Sequence, residues 1–230
     1  MPIQERIIIT DEGISGDPWK GDYFNSFEQN ILKIKKIYGN PKIVLGIRKH
    51  KDFILSIYKQ HLHQKGYKDF SEIFNIENSG LIKHKDILFH PRIEVLNRNF
   101  ENVFIYTQES LNDDLFFFTS QLADFLNVTY DKSKLLSVLG KKENTGVSSV
   151  FQVNLLKRLN RLNSSSFMPN LYSERLNKYK LTPRDLCQNK FKNIKSEKFS
   201  LTADMEAFIQ DNYKKDWDES MDYVNTIKSI

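Results

Sequence analysis

Two residues eight apart carry the chemistry that is easiest to read in this sequence. They are Arg48 and Ser56, in the segment KIVLGIRKHKDFILSIY from Lys42 to Tyr58. An apolar run ends at Ile47, the arginine follows at once, and the serine falls one or two turns inside the next helical stretch. A planar guanidinium fork and a hydroxyl aimed at one spot suit a phosphate monoester. Parallel sheets collect their ligands at the carboxyl ends of their strands, where Arg48 would stand and towards which Ser56 could lean. The same spacing also describes a surface arginine beside a helix serine bonded to its own backbone.

Other chemistry-bearing residues form weaker patterns. His50, His61, His63, His84 and His90 show no metal-ligand spacing, and His61 and His63 diverge on a helix, so no metal is expected. Gly16 to Asp22 (GDPWKGD) has the glycines of a phosphate loop but lacks its Gly-Lys-Ser/Thr ending, and no clear strand runs into it. Cys187 is the one cysteine, so an internal disulfide is excluded and a reducing, cytoplasmic location is the natural reading. Asp11-Glu12-Gly13 reads as a solvated turn, and Lys141-Lys142 as a solvated basic one.

The elements that must position these residues alternate. Arg6 to Thr10 (RIIIT) reads as a buried strand, Lys42 to Ile47 as a second and Asn102 to Thr107 as a third. Gly13 to Asn25, with four glycines or prolines, reads as a loop. The apolar spacing predicts helices over Ser26 to Tyr38, Asp52 to Gln64, Pro91 to about Asn99, Leu111 to Leu126, Val147 to Leu162 and Ala203 to Tyr213. Between the last two, Asn163 to Ser200 is polar and irregular, an insert or lid whose lysines and arginines could form one wall of a cleft for an acidic acceptor. Strands alternating with helices argue for an α/β fold with a parallel sheet, followed by a helical C-terminal part.

The chain has 230 residues, enough for a single domain and short of two ordinary ones. Its formal charge of +5 suits an anionic ligand but falls short of a dedicated nucleic-acid binder, and no aromatic-basic RNA-recognition motif appears. No apolar run approaches the roughly 20 residues that span a bilayer. Oligomeric state is not legible.

The strand, Arg48, seven residues, Ser56 and a following aromatic together resemble the 3′-phosphate-binding motif of sulfotransferases that use 3′-phosphoadenosine 5′-phosphosulfate. SIYKQHLHQKGYKDFSEIF is similar to the bacterial, carbohydrate-type members of that family, as are NVFIYTQESLNDDLFFFTSQLADFLNV and the stretch from Asn144 through Val153 to Arg161. The likeness covers roughly residues 6 to 165.

The resemblance implies a three-layer parallel sheet with helices on both faces, of the P-loop NTPase-like sulfotransferase type, in one domain over 1–230. It implies an enzyme that moves a sulfuryl group from the nucleotide co-substrate to a hydroxyl or amine, most naturally of a saccharide. Arg48 and Ser56 would hold the 3′-phosphate. Glu12, with Asp11 as competitor, would be the general base, and Lys141 and Lys142 would belong to a basic loop closing over the nucleotide. The family's glycine-rich loop for the 5′-phosphosulfate is not found, so its strand is expected upstream, or the chain is a truncated or decayed relative that binds nucleotide or a protein partner without catalysis. Lacking that central strand, the strands at Lys42 to Ile47 and Asn102 to Thr107 should pair directly, or the chain should be poorly soluble.

Overall fold

The computed structural model describes residues 7–20, 22–138, 147–165, 170–191, 194 and 196–227. After two short turns at Glu12–Ser15 and Pro18–Lys20, helix α1 spans Tyr23–Tyr38. Its Tyr23, Phe27 and Ile31 are buried. Gly39, with φ of 72°, ends the helix by donating its N–H to Lys35 O at 2.9 Å. Strand β1 (Ile43–Ile47) leads into α2 (His50–His63). Next come the short α3 (Phe70–Ile73), a turn at His84–Ile87, and α4 (His90–Asn99), which leads into β2 (Val103–Thr107).

β1 and β2 pair in parallel, Ile43 opposite Val103 through Ile47 opposite Thr107, and they are the whole sheet among the described residues. Gly46 is needed there. It lies opposite Tyr106, and a Cβ on it would come within 2.6 Å of the Tyr106 ring. One face of the pair packs on helices: Ile47 and Ile105 join Phe89, Ile93 and Val224 in one buried cluster, while Val95, Leu96, Phe27 and Ile31 form another. On the other face Phe104 and Tyr106 lie under Phe118 and Phe125, whereas Val44 is exposed.

This corrects the expected architecture. The described residues are 64% helix and 6% strand, with a small open sheet in place of the three-layer, P-loop NTPase-like one. The physical reason lies at the N-terminus. Ile7, Ile8 and Ile9, read as a buried strand, are 84%, 74% and 54% exposed and bond to no neighbour in the sheet. With nothing between them, β1 and β2 take each other as partner, the first of the two outcomes expected for a chain without a central strand.

The remaining elements are helical. Thr107 caps α5 (Gln108–Asp113). Asp114, whose side chain accepts from Phe117 N, starts α6 (Leu115–Leu126), so the helix expected over Leu111 to Leu126 is two. α7 spans Lys132–Val138. α8 (Val150–Ser164) opens on a capping box between Ser149 and Gln152, three residues later than the apolar pattern suggests. α9 (Glu174–Lys178) and α10 (Pro183–Asp185) follow, and α10 runs on into a wider helical turn at Leu186–Lys190. α11 (Ala203–Ile227) is far longer than the Ala203 to Tyr213 expected.

The segment read as a polar insert is built into the molecule. Thr182, Pro183 and Cys187 are buried, Cys187 in the same core as Leu62, Leu156 and Met205. Gln152 Nε2 donates to Cys187 O at 2.9 Å, and Ser149 bridges Lys198 in antiparallel fashion.

Candidate functional site

The carboxyl ends of β1 and β2 lie side by side, and each gives way at once to a helix. Arg48 leaves β1 half-buried, and its Nη2 donates to Gln108 Oε1 at 3.3 Å, at the corresponding end of β2. The next residues bond as well: Lys49 N donates to Glu109 Oε1 at 3.1 Å. Glu109 Oε2 is buried without a hydrogen-bond partner among the described residues. Thus the two strand ends are tied by one neutral and one charged side chain.

α2 has two unlike faces because its apolar and polar residues recur at separate helical positions. Ile54, Leu55, Tyr58 and Leu62 are buried, while Asp52, Ser56, Lys59 and His63 follow one another at spacings of four, three and four along the other face. Ser56 therefore stands on the stripe that starts beside Arg48. It is half-buried, and its hydroxyl has no hydrogen-bond partner among the described residues. The bland alternative, a serine bonded back to its own helix, is not what the helix does here.

Lys59, one turn beyond Ser56, is held below the usual lysine range. Burial is the main cause, and the positive charges of Lys198 and then Arg48 add to it, while Asp52 works the other way. Three cations thus act on one region, and among the described residues none of them has an ion pair. Lys198 is brought there by its bridge to Ser149. Such a group of unpaired cations with a free hydroxyl is suited to an oxyanion, whose charge would relieve the repulsion.

The other expected residues are not gathered at this site. Glu12 begins the turn Glu12–Ser15, and its side chain lies outside what the structure describes. Its competitor Asp11 is committed to that turn, accepting from Gly13 N at 2.7 Å. Lys141 and Lys142 lie outside the described residues. Among the described residues no group of three or more His, Cys, Asp or Glu could hold a metal ion, and no helix is long and apolar enough to cross a membrane.

Lys59, Gln108 and Glu109 were not among the residues expected here, and Lys198 was expected only with the other cations of the polar segment, as a wall for an acidic acceptor. Lys59 was within reach of sequence reasoning, since it shares the helix face of Ser56, and Gln108 and Glu109 stand where a parallel strand delivers ligands. The place of Lys198 beside Lys59 gave no such signal, because the bridge that carries it crosses some fifty residues of chain. No family model, no curated protein and no solved structure matches this chain.

Proposed function

We propose that this protein binds the 3′-phosphate of a 3′-phosphoadenosine nucleotide at the carboxyl end of β1, through Arg48, Ser56, Lys59 and Lys198. The observation that carries the reading is the Ser56 hydroxyl left without a partner on the helix face that Lys59 shares, among cations with no carboxylate bonded to them. The Arg48 and Ser56 spacing resembles that of sulfotransferases, so the activity that goes with the site is sulfuryl transfer from 3′-phosphoadenosine 5′-phosphosulfate. The acceptor in that reading is a hydroxyl or amine of a saccharide, and Glu12 takes its proton. The reading concerns the site and borrows nothing from the three-layer sheet.

A second reading, nucleotide binding without transfer, is favoured by one specific observation. β1 and β2 pair directly, and among the described residues neither is followed by a loop of glycines and a lysine able to cradle a 5′-phosphosulfate. Two measurements separate the readings. Calorimetry with adenosine 3′,5′-bisphosphate tests the site, and release of labelled sulfuryl groups from the donor to a saccharide mixture tests the reaction. Binding without transfer supports the second reading, and no binding removes both.

A further inference from the structure

A second polar site stands at the far end of α2. His63, at the end of the helix, and Lys65, just beyond it, form one wall of a cleft of about 460 Å³. Tyr172, Arg184, Asp185 and Gln188 are among the residues that form the other. Ser56 is seven residues from His63, about 10 Å along the helix, and Lys59 stands one turn before His63, so this place adjoins the Arg48 site at Lys59 without sharing Arg48 or Ser56.

The walls are fixed. Asn160, fully buried, donates through Nδ2 to Leu62 O at 2.8 Å and to Gly66 O at 2.7 Å, and its Oδ1 accepts from the Tyr172 hydroxyl. Lys65 lies over the Tyr172 ring, 4.9 Å from its centre. Asp185 is already taken, accepting from the Thr182 hydroxyl at 2.5 Å, and the turn bearing Gln188 is anchored by the bond from Gln152 to Cys187 O.

What remains unpaired is mostly donor. Gln188 Nε2 and His63 Nε2 are both buried without a partner among the described residues, and Arg184 and Lys65 have no ion pair there. A buried amide N–H without an acceptor is costly, and the cationic side chains beside it favour a ligand rich in acceptor oxygens. The size is within the range of small-molecule sites and is more than a bare ion fills.

We propose that this cleft binds a small organic molecule bearing an oxyanion, a phosphate ester or a carboxylate, with Arg184 and Lys65 on the charge, beside His63 and Gln188. The electrostatics agree. Burial first, then the charges of Arg184 and Lys59, hold the His63 imidazole down to about 4, and the charge of a bound anion works against the two cations. The proposal does not depend on the nucleotide reading.

The test follows His63 by nuclear magnetic resonance of its ring while glycerol 3-phosphate, succinate or inorganic phosphate is added, with neutral glycerol as control. The expected result is a saturable shift of the His63 signals and a rise in its pKa with glycerol 3-phosphate or succinate; whichever of the two binds more tightly identifies the charged group. Arg184→Gln is expected to weaken binding about tenfold or more, as the loss of a charge-assisted contact does, with thermal stability unchanged. Lys65→Gln provides the same readout should Arg184→Gln fail to fold. Arg48→Ala is expected to leave this binding unchanged, so the nucleotide reading can fail while this one stands. The proposal is overturned if neither organic anion moves the His63 signals, if glycerol moves them equally, or if Arg184→Gln and Lys65→Gln both bind as wild type does.

Discussion

His50 Nε2 lies 2.8 Å from Asp216 Oδ2, a buried contact between residues 166 apart in sequence. The same carboxylate accepts from Phe89 N at 2.9 Å and His90 N at 3.0 Å, so α11 reaches the start of both α2 and α4 through a single side chain. The His50 ring also stacks on Tyr213 of α11, with centres 5.0 Å apart. The beginning of α2 is where Arg48 leaves β1, and Asp216 therefore fixes the frame of the candidate phosphate site without facing it.

Asp216→Ala is expected to be strongly destabilising. It leaves one buried and one partly buried backbone N–H and a buried imidazole without their acceptor, and each buried loss costs about 1–3 kcal/mol. A total of about 3 kcal/mol or more should lower Tm by roughly 6–12 °C in a chain of this size. Asp216→Asn, which keeps one acceptor oxygen, should lose less. Thermal unfolding followed by circular dichroism measures both, and a shift under about 2 °C for Asp216→Ala would mean that the contact holds little.

At the phosphate site, Arg48→Ala should weaken binding of adenosine 3′,5′-bisphosphate about tenfold or more, since a charge-assisted contact is worth about 1.5–3 kcal/mol. Ser56→Ala removes a neutral donor and should cost less, a few-fold, on the order of 1 kcal/mol. Neither change empties a core position, so Tm should stay within a degree or two. Calorimetry gives the affinities, and an Arg48→Ala protein that binds as tightly as wild type sinks the site.

Glu12 and Asp11 are to be separated kinetically. Glu12→Gln should lower sulfuryl turnover by about 10² or more while nucleotide affinity holds, which is the pattern of a lost general base. Asp11 accepts from Gly13 N, and Asp11→Asn keeps an acceptor oxygen for that bond, so turnover should change little. Equal losses from the two, or none from Glu12→Gln, remove Glu12 from the role.

The two strands were legible because each is a short apolar run bounded by turn residues, and both ends fall within one residue of the pattern: Ile43–Ile47 against Lys42 to Ile47, Val103–Thr107 against Asn102 to Thr107. The run at Ile7 to Ile9 has the same composition and no partner, since a strand exists only when a neighbouring edge takes its N–H and C=O groups. Polar composition hid the packing of Thr182 and Cys187, because the residues of that segment that are fully buried are few and small. Arg48 and Ser56 could be read from one helix start. The cleft could not, since His63 and Lys65 meet Tyr172, Arg184 and Gln188 only through folding, across more than a hundred residues of chain.

The His63 imidazole is held at about 4, against an ordinary value of 6.5, chiefly by burial. Its folded-state pKa is therefore depressed, and between those two values the unfolded chain takes up the proton more readily than the folded one. Stability contributed by this group is complete above about 6.5, falls as pH drops towards about 4, and changes no further below that. The full shift corresponds to about 3 kcal/mol, and partial solvent access reduces it to roughly 2 kcal/mol. Other groups titrate in the same window, so the quantity to measure is the difference between wild type and His63→Gln in urea unfolding across that range. Wild type should lose about 2 kcal/mol more than the variant on going from neutral pH to about pH 4. An oxyanion in the adjoining cleft favours the imidazolium and should flatten this difference, because the folded-state pKa then rises towards the unfolded one. Parallel pH profiles for the two proteins, with His63 titrating near 6.5 in the folded state, would show that burial does not hold the ring neutral.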